Sequence, residues 1–163
     1  MQRDQIQGIV TRADLQRPAV SMIIFSLILA SEAAMREIIG RNLALTWLEK
    51  LRPAGRAELE KVYEARLKTN TQVTKLDCLM IHDLLALLYE CTGIVEQLGF
   101  TRSRFKKWKE RLRLLRDTLA HGGGLLHAES DPLCAIQLFQ DVRSFAEKTT
   151  RLVATRAVEG EAG

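Results

Sequence analysis

Apolar residues recur every three or four positions along almost the whole of this chain, and only three prolines fall among them. That period puts the apolar side chains on one face of an α-helix; strands would alternate every second residue. Leu, Ala, Glu, Lys and Arg dominate and β-branched runs are scarce, which favours helix further. With 163 residues the chain is long enough for one domain with a real core. The expectation is an all-α fold, an antiparallel bundle of four or five helices with short connections, behind a short N-terminal strand-like extension.

Start and stop signals divide the chain. Ile9-Val10 reads as a short strand. Pro18 suits the first turn of a helix, which should run from Ala19 to about Ile39. Gly40 and Asn42 weaken the pattern, and "LALTWLEKL" restores it to Leu51. Pro53 and Gly55 punctuate, after which "AELEKVYEARLK" sets Leu59, Val62, Tyr63 and Leu67 on one face. "TNT" at 69–71 allows a kink or a new cap. "KLDCLMIHDLLALLYE" is apolar around most of its circumference and reads as a central helix. "CTG" and "LGF" bracket a short helical piece. Thr101 or Ser103 can cap the next helix, whose apolar stripe is Phe105, Trp108, Leu112, Leu115 and Leu119. Gly122 stands where a helix-ending glycine belongs. Asp131-Pro132 is a cap followed by proline, so a last helix should run from about Leu133 to Arg156. In domain terms, 1–17 is an extension, 18–157 a helical domain and 158–163 a frayed tail.

Several classes of function are disfavoured. Cys78, Cys91 and Cys134 are odd in number, far apart and without a CxxC pair. That argues against a disulfide framework or a cysteine zinc site and for a reducing cytoplasm, with the thiols buried on apolar faces. "AVSMIIFSLILA", residues 19–30, is short of the ~20 residues of a bilayer span. As a signal core it starts late, behind Asp4 and Asp14, so it reads as a buried helix and no membrane is expected. Cys78 and His82 lie four apart, but no third ligand stands at a recognisable spacing. "HGGGLL" follows a helix, where a dinucleotide loop would precede one. Neither metal nor cofactor is expected.

The charge sits in one element. Between Phe100 and His121 there are eight basic residues and two acidic ones, a window of +6 in a chain of +4 overall. Arg102, Arg104, Lys106, Lys107, Lys109 and Arg113 are the candidate contacts for a polyanion such as RNA.

Near the start, "GIVTRADL", residues 8–15, resembles the closing segment of a CBS domain, a nucleotide-sensing module. In that family the Thr and Asp of such a run contact ribose and phosphate, and Thr11 and Asp14 fall on those positions. Only about fifteen residues match, too few for an adenosine pocket. The resemblance implies a remnant, or the start of a fragment from a longer CBS-containing protein.

"LRDTLAHG", residues 115–122, resembles the signature of HEPN domains: an Arg, four to six residues, then a His, at the end of the third core helix of a bundle. Leu115, Arg116, Asp117, Ala120, His121 and Gly122 take the family's places, and a loop and one long last helix follow. The likeness covers roughly residues 19–156. It implies a metal-independent endoribonuclease acting as a homodimer, in which the RNA 2′-OH attacks the adjacent phosphate to leave a 2′,3′-cyclic phosphate. Arg116, Asp117 and His121 would form the catalytic set. Histidine titrates near neutrality and suits the proton transfers; a guanidinium suits the phosphate. Asp117 replaces the family's commoner Asn, where it can hold Arg116 but repels phosphate. No Tyr follows two residues after His121, unlike the antitoxin-paired HEPN toxins. The alternative the resemblances imply is a non-catalytic dimerisation or regulatory output domain attached to a CBS sensor, while phage defence or a toxin role goes with the ribonuclease reading.

Overall fold

Proline and side-chain caps set most helix starts in the computed structural model, which describes residues 11–69 and 72–160. Thr11 caps α1 (Arg12–Leu15); its hydroxyl accepts from the Asp14 N–H, while the Asp14 carboxylate accepts from the Thr11 N–H and hydroxyl. Such a reciprocal capping box satisfies the first donors of the turn. Leu15 then enters the same core as the rest of the chain. The expected strand at Ile9-Val10 lies outside the described residues.

Pro18 opens α2 (Pro18–Leu43). It runs four residues beyond the expected end at Ile39. There Arg41 pairs with Glu37 one turn back at 2.8 Å and donates to the Val153 carbonyl, ties that outweigh the weak local propensity of Gly40 and Asn42. A 3₁₀ turn at Ala44–Thr46 leads into α3 (Trp47–Lys50), and Pro53 opens α4 (Pro53–Leu67).

The expected single helix from Lys75 is broken. A 3₁₀ turn at Leu76–Cys78 and an extended Leu79-Met80 precede α5 (Ile81–Glu90). The Asp77 carboxylate accepts from the Thr74 N–H and hydroxyl, and Arg36 takes the Leu79 carbonyl. Thr and Asp side chains thus give the backbone an alternative to helix, and apolar periodicity does not register it. Cys78 and His82 therefore do not share a helix face. Cys78 and Cys91 are buried as expected; Cys134 is exposed, against expectation.

After α6 (Ile94–Gln97), Thr101 caps α7 (Arg102–Ala120) by accepting from the Arg104 N–H. Then come α8 (Leu125–Ala128) and α9 (Pro132–Gly160), the latter begun by Asp131, whose carboxylate accepts from the Leu133 N–H.

The five longer helices are α2, α4, α5, α7 and α9. Tyr89 of α5 stacks on Phe105, while His82 and Asp83 share a cleft with Arg113, so α5 and α7 run antiparallel. The closing pair differs: Arg41 meets Val153 late in both helices, so α2 and α9 are parallel. α2 packs on α5, α7 and α9, and Ile24, Ile28, Met35 and Ile39 form its inner stripe. Phe105, Trp108, Leu112 and Leu115 of α7 are buried as expected, and Leu119 is partly buried.

Only one face of the apolar segment 19–30 is buried. Met22, Ile23 and Leu29 are exposed. The helical stretch Pro18–Lys50 is long and apolar enough to cross a membrane by length and composition, a test that core helices of soluble proteins also pass.

Candidate active site at the end of α7

The end of α7 is built by two glycines. The Gly122 N–H donates to the Leu119 carbonyl at 3.1 Å and the Gly123 N–H to the Thr118 carbonyl at 2.8 Å. This is the Schellman pattern, and it satisfies two carbonyls that a helix end would leave open. Gly122 sits at φ +79°, where an L side chain is strained. At Gly123 a Cβ would meet Thr118 Cγ2 at 2.6 Å and the Thr118 carbonyl oxygen at 2.9 Å. His121 is the last residue before this turn; its N–H bonds back to the Asp117 carbonyl and its side chain is exposed.

Arg116 is positioned differently. Its Nε lies 3.6 Å from Oε1 of Glu32 on α2, and its Nη1 3.8 Å from Oδ1 of Asp117. Glu32 is buried, with 7% of its side chain exposed, and is also approached by Arg36 at 3.5 Å. Asp117 reaches on to Arg113 at 3.6 Å, and Arg113 to Glu110 at 3.3 Å. The result is an alternating ladder, Arg36–Glu32–Arg116–Asp117–Arg113–Glu110, joining α2 to α7. At 3.6 Å the Glu32–Arg116 contact is held by charge and is too long for a hydrogen bond; both facing atoms are buried without a hydrogen-bond partner.

Sequence reasoning missed Glu32. Its signal is positional: Ile28, Glu32, Met35 and Ile39 fall on one inner stripe, so a carboxylate stands where an apolar side chain belongs. A buried carboxylate needs paired cations, and Arg36, four residues on, is the first of them.

No hydrogen bond or ion pair joins Arg116 to His121 among the described residues. They stand five positions apart, about 140° around the helix. Beside this end lies a shallow cleft of about 290 Å³ lined by Ser21, Met22 and Phe25 of α2 and by Leu119 and Gly122 to Gly124. His127 lies just beyond; its Nδ1 accepts from the Gly124 N–H at 3.1 Å.

The six candidate polyanion contacts do not form one patch. Arg102, Lys106 and Lys109 surround the Tyr89 ring. Arg113 belongs to the ion ladder and to a cleft of about 540 Å³ between α5 and α7. Arg104 lies toward α9, in a recess with Asp141 and Lys148, and Lys107 is exposed. No cluster of three metal-ligating side chains occurs among the described residues. The CBS-like pair Thr11 and Asp14 hydrogen-bonds to itself, and that bonding holds the Asp14 carboxyl below its usual range.

Compared with known proteins, the chain matches no family model, and neither a curated protein nor a solved structure matches it.

Proposed function

We propose that this chain is a HEPN-type, metal-independent endoribonuclease acting as a homodimer. The observation that carries the reading is the end of α7. The two-glycine turn leaves the His121 imidazole in solvent, and one turn upstream Arg116 is held from two sides by Glu32 and Asp117.

In this reading the RNA 2′-oxygen forms a bond to the adjacent phosphorus as the bond from phosphorus to the 5′-oxygen breaks. One imidazole takes the 2′-OH proton and a second returns a proton to the departing 5′-oxygen. Arg116 faces the phosphoryl oxygens as charge develops on them. One His121 per chain means that two chains face each other. The exposed Met22 borders the cleft at the α7 end and supports an apolar contact beside the site.

A second reading, a non-catalytic dimerisation or regulatory domain, is favoured by the carboxylates themselves. Glu32 and Asp117 already occupy part of the Arg116 guanidinium, as they would in a purely structural ion cluster. The two readings separate on a pool of single-stranded RNA incubated in EDTA with wild type and with His121→Ala. Loss of cleavage in the variant supports the ribonuclease; equal cleavage, or none by wild type, supports the second reading.

A further inference from the structure

The two halves of α7 treat their positive charge differently. In the second half Arg111, Arg113 and Arg116 each face a carboxylate. In the first half Arg102, Arg104, Lys106, Lys107 and Lys109 face none within ion-pair distance among the described residues. Cations in the opening turns also oppose the helix dipole. Folding alone gives no reason to gather them there.

Three of these cations converge. Arg102, Lys106 and Lys109, spaced four and three apart, lie on one stripe of α7 and approach the Tyr89 ring of α5 at 4.8, 5.7 and 5.7 Å. The ring itself is stacked on Phe105. A half-buried ring attracts each cation by only about 1 kcal/mol, and the three repel one another. The stripe continues to Arg113, about 16 Å along the helix from Arg102. There it opens into the 540 Å³ cleft, where Lys50 and Arg52 add two more cations without a carboxylate partner among the described residues. Of the three carboxylates in that cleft, Glu110 is paired with Arg113 and Asp83 lies 3.3 Å from the neighbouring His82 imidazole. Glu90 is the third.

A cleft that carries cations beyond ion-pair distance of a carboxylate, with further cations gathered beside it around an aromatic ring, is a construction that can grip a single nucleic-acid strand by its phosphates. We propose that the α5–α7 groove, the cleft of Lys50, Arg52 and Lys109, together with Arg102 and Lys106 beside it at Tyr89, is a backbone track for single-stranded RNA leading toward Arg116 and His121. The identity of the polymer rests on the ribonuclease reading; the anion-binding character rests on the groove.

The test is binding of a labelled oligouridine of about 12 nucleotides to the His121→Ala protein in EDTA, between about 50 and 200 mM salt. The track predicts a log–log salt slope near −3, about −0.7 for each of four phosphates. Lys106→Gln/Lys109→Gln should make the slope shallower by about 1.4 and weaken binding at least about fivefold. The charge-matched Arg143→Gln/Arg151→Gln on α9, whose residues neither line the cleft nor approach Tyr89, should bind within about twofold of the parent. Equal losses in both doubles, no loss in either, or equally tight binding of a duplex RNA of the same length would overturn the track. Binding through the groove by a wild-type protein that cleaves nothing would sink the ribonuclease reading and leave the track standing. Cleavage with unchanged binding by the Lys106/Lys109 double would do the reverse.

Discussion

Replacing Glu32 by Gln removes one charge from the middle of the ladder and almost no volume. The side chain is 7% exposed, and two guanidiniums face it, Arg36 at 3.5 Å and Arg116 at 3.6 Å. Breaking a fully buried pair by removing one partner costs about 3–5 kcal/mol, because the other charge stays buried and uncompensated. Here the two arginine side chains keep 22% and 25% of their exposure, so each can turn partly toward water. The amide oxygen of Gln also still accepts one hydrogen bond. About 2 kcal/mol is therefore the expected loss, below the fully buried range. In a domain of this size that lowers the melting temperature by about 4–8 °C, read by far-UV circular dichroism. A double-mutant cycle with Arg116→Gln should return a coupling of at least about 1 kcal/mol, since the two residues share the contact. A melting shift under about 1 °C together with zero coupling would show that the ladder does not hold Arg116.

Three further outcomes follow from other parts of the structure. Gly122→Ala should cost about 1–2 kcal/mol, the penalty of a left-handed residue. Gly123→Ala should cost more, because the clash with the Thr118 carbonyl is relieved only by opening the bond that ends α7; thermal melts in the opposite order would contradict the turn. The Thr74 hydroxyl, and then its N–H, hold the Asp77 carboxyl below its usual range. Because the folded-state value is depressed, its stabilisation is present above the ordinary carboxylate range and lost as pH falls through the depressed value. Thr74→Val should move the Asp77 midpoint upward in an NMR titration, and an unmoved midpoint would refute the assigned cause. Sedimentation of wild type at micromolar concentration should read two chains, and Met22→Glu should shift it toward one; a wild-type monomer there would remove the dimer from the account.

Legibility in the sequence followed the range of the interactions. Thr101, Gly122 and Asp131-Pro132 act within four residues of themselves, so cap, stop and start were readable without the fold. The apolar stripe of α7 was readable because burial follows a period. The start of α5 was not, since Thr74 and Asp77 form a local hydrogen-bond set inside an apolar run. The extra turn of α2 depends on a carbonyl of α9, 112 residues away. Glu32 shows the same limit at the site: its register on an inner stripe is visible, but Arg116 as its partner appears only when α2 and α7 meet. Even then, the grouping of Arg102, Lys106 and Lys109 around Tyr89, with Arg104 left on another side, required the placement of α5.

The most direct measurement is the rate at which wild type and His121→Ala cleave the same single-stranded RNA near neutral pH in EDTA, with the product ends identified. A histidine moving protons in the reaction is worth about 10²–10⁴-fold. Wild type should cleave to 2′,3′-cyclic phosphate ends, and the variant should lose at least about a hundredfold in rate. Equal rates, or a folded wild-type dimer that leaves the RNA intact, would contradict the ribonuclease reading.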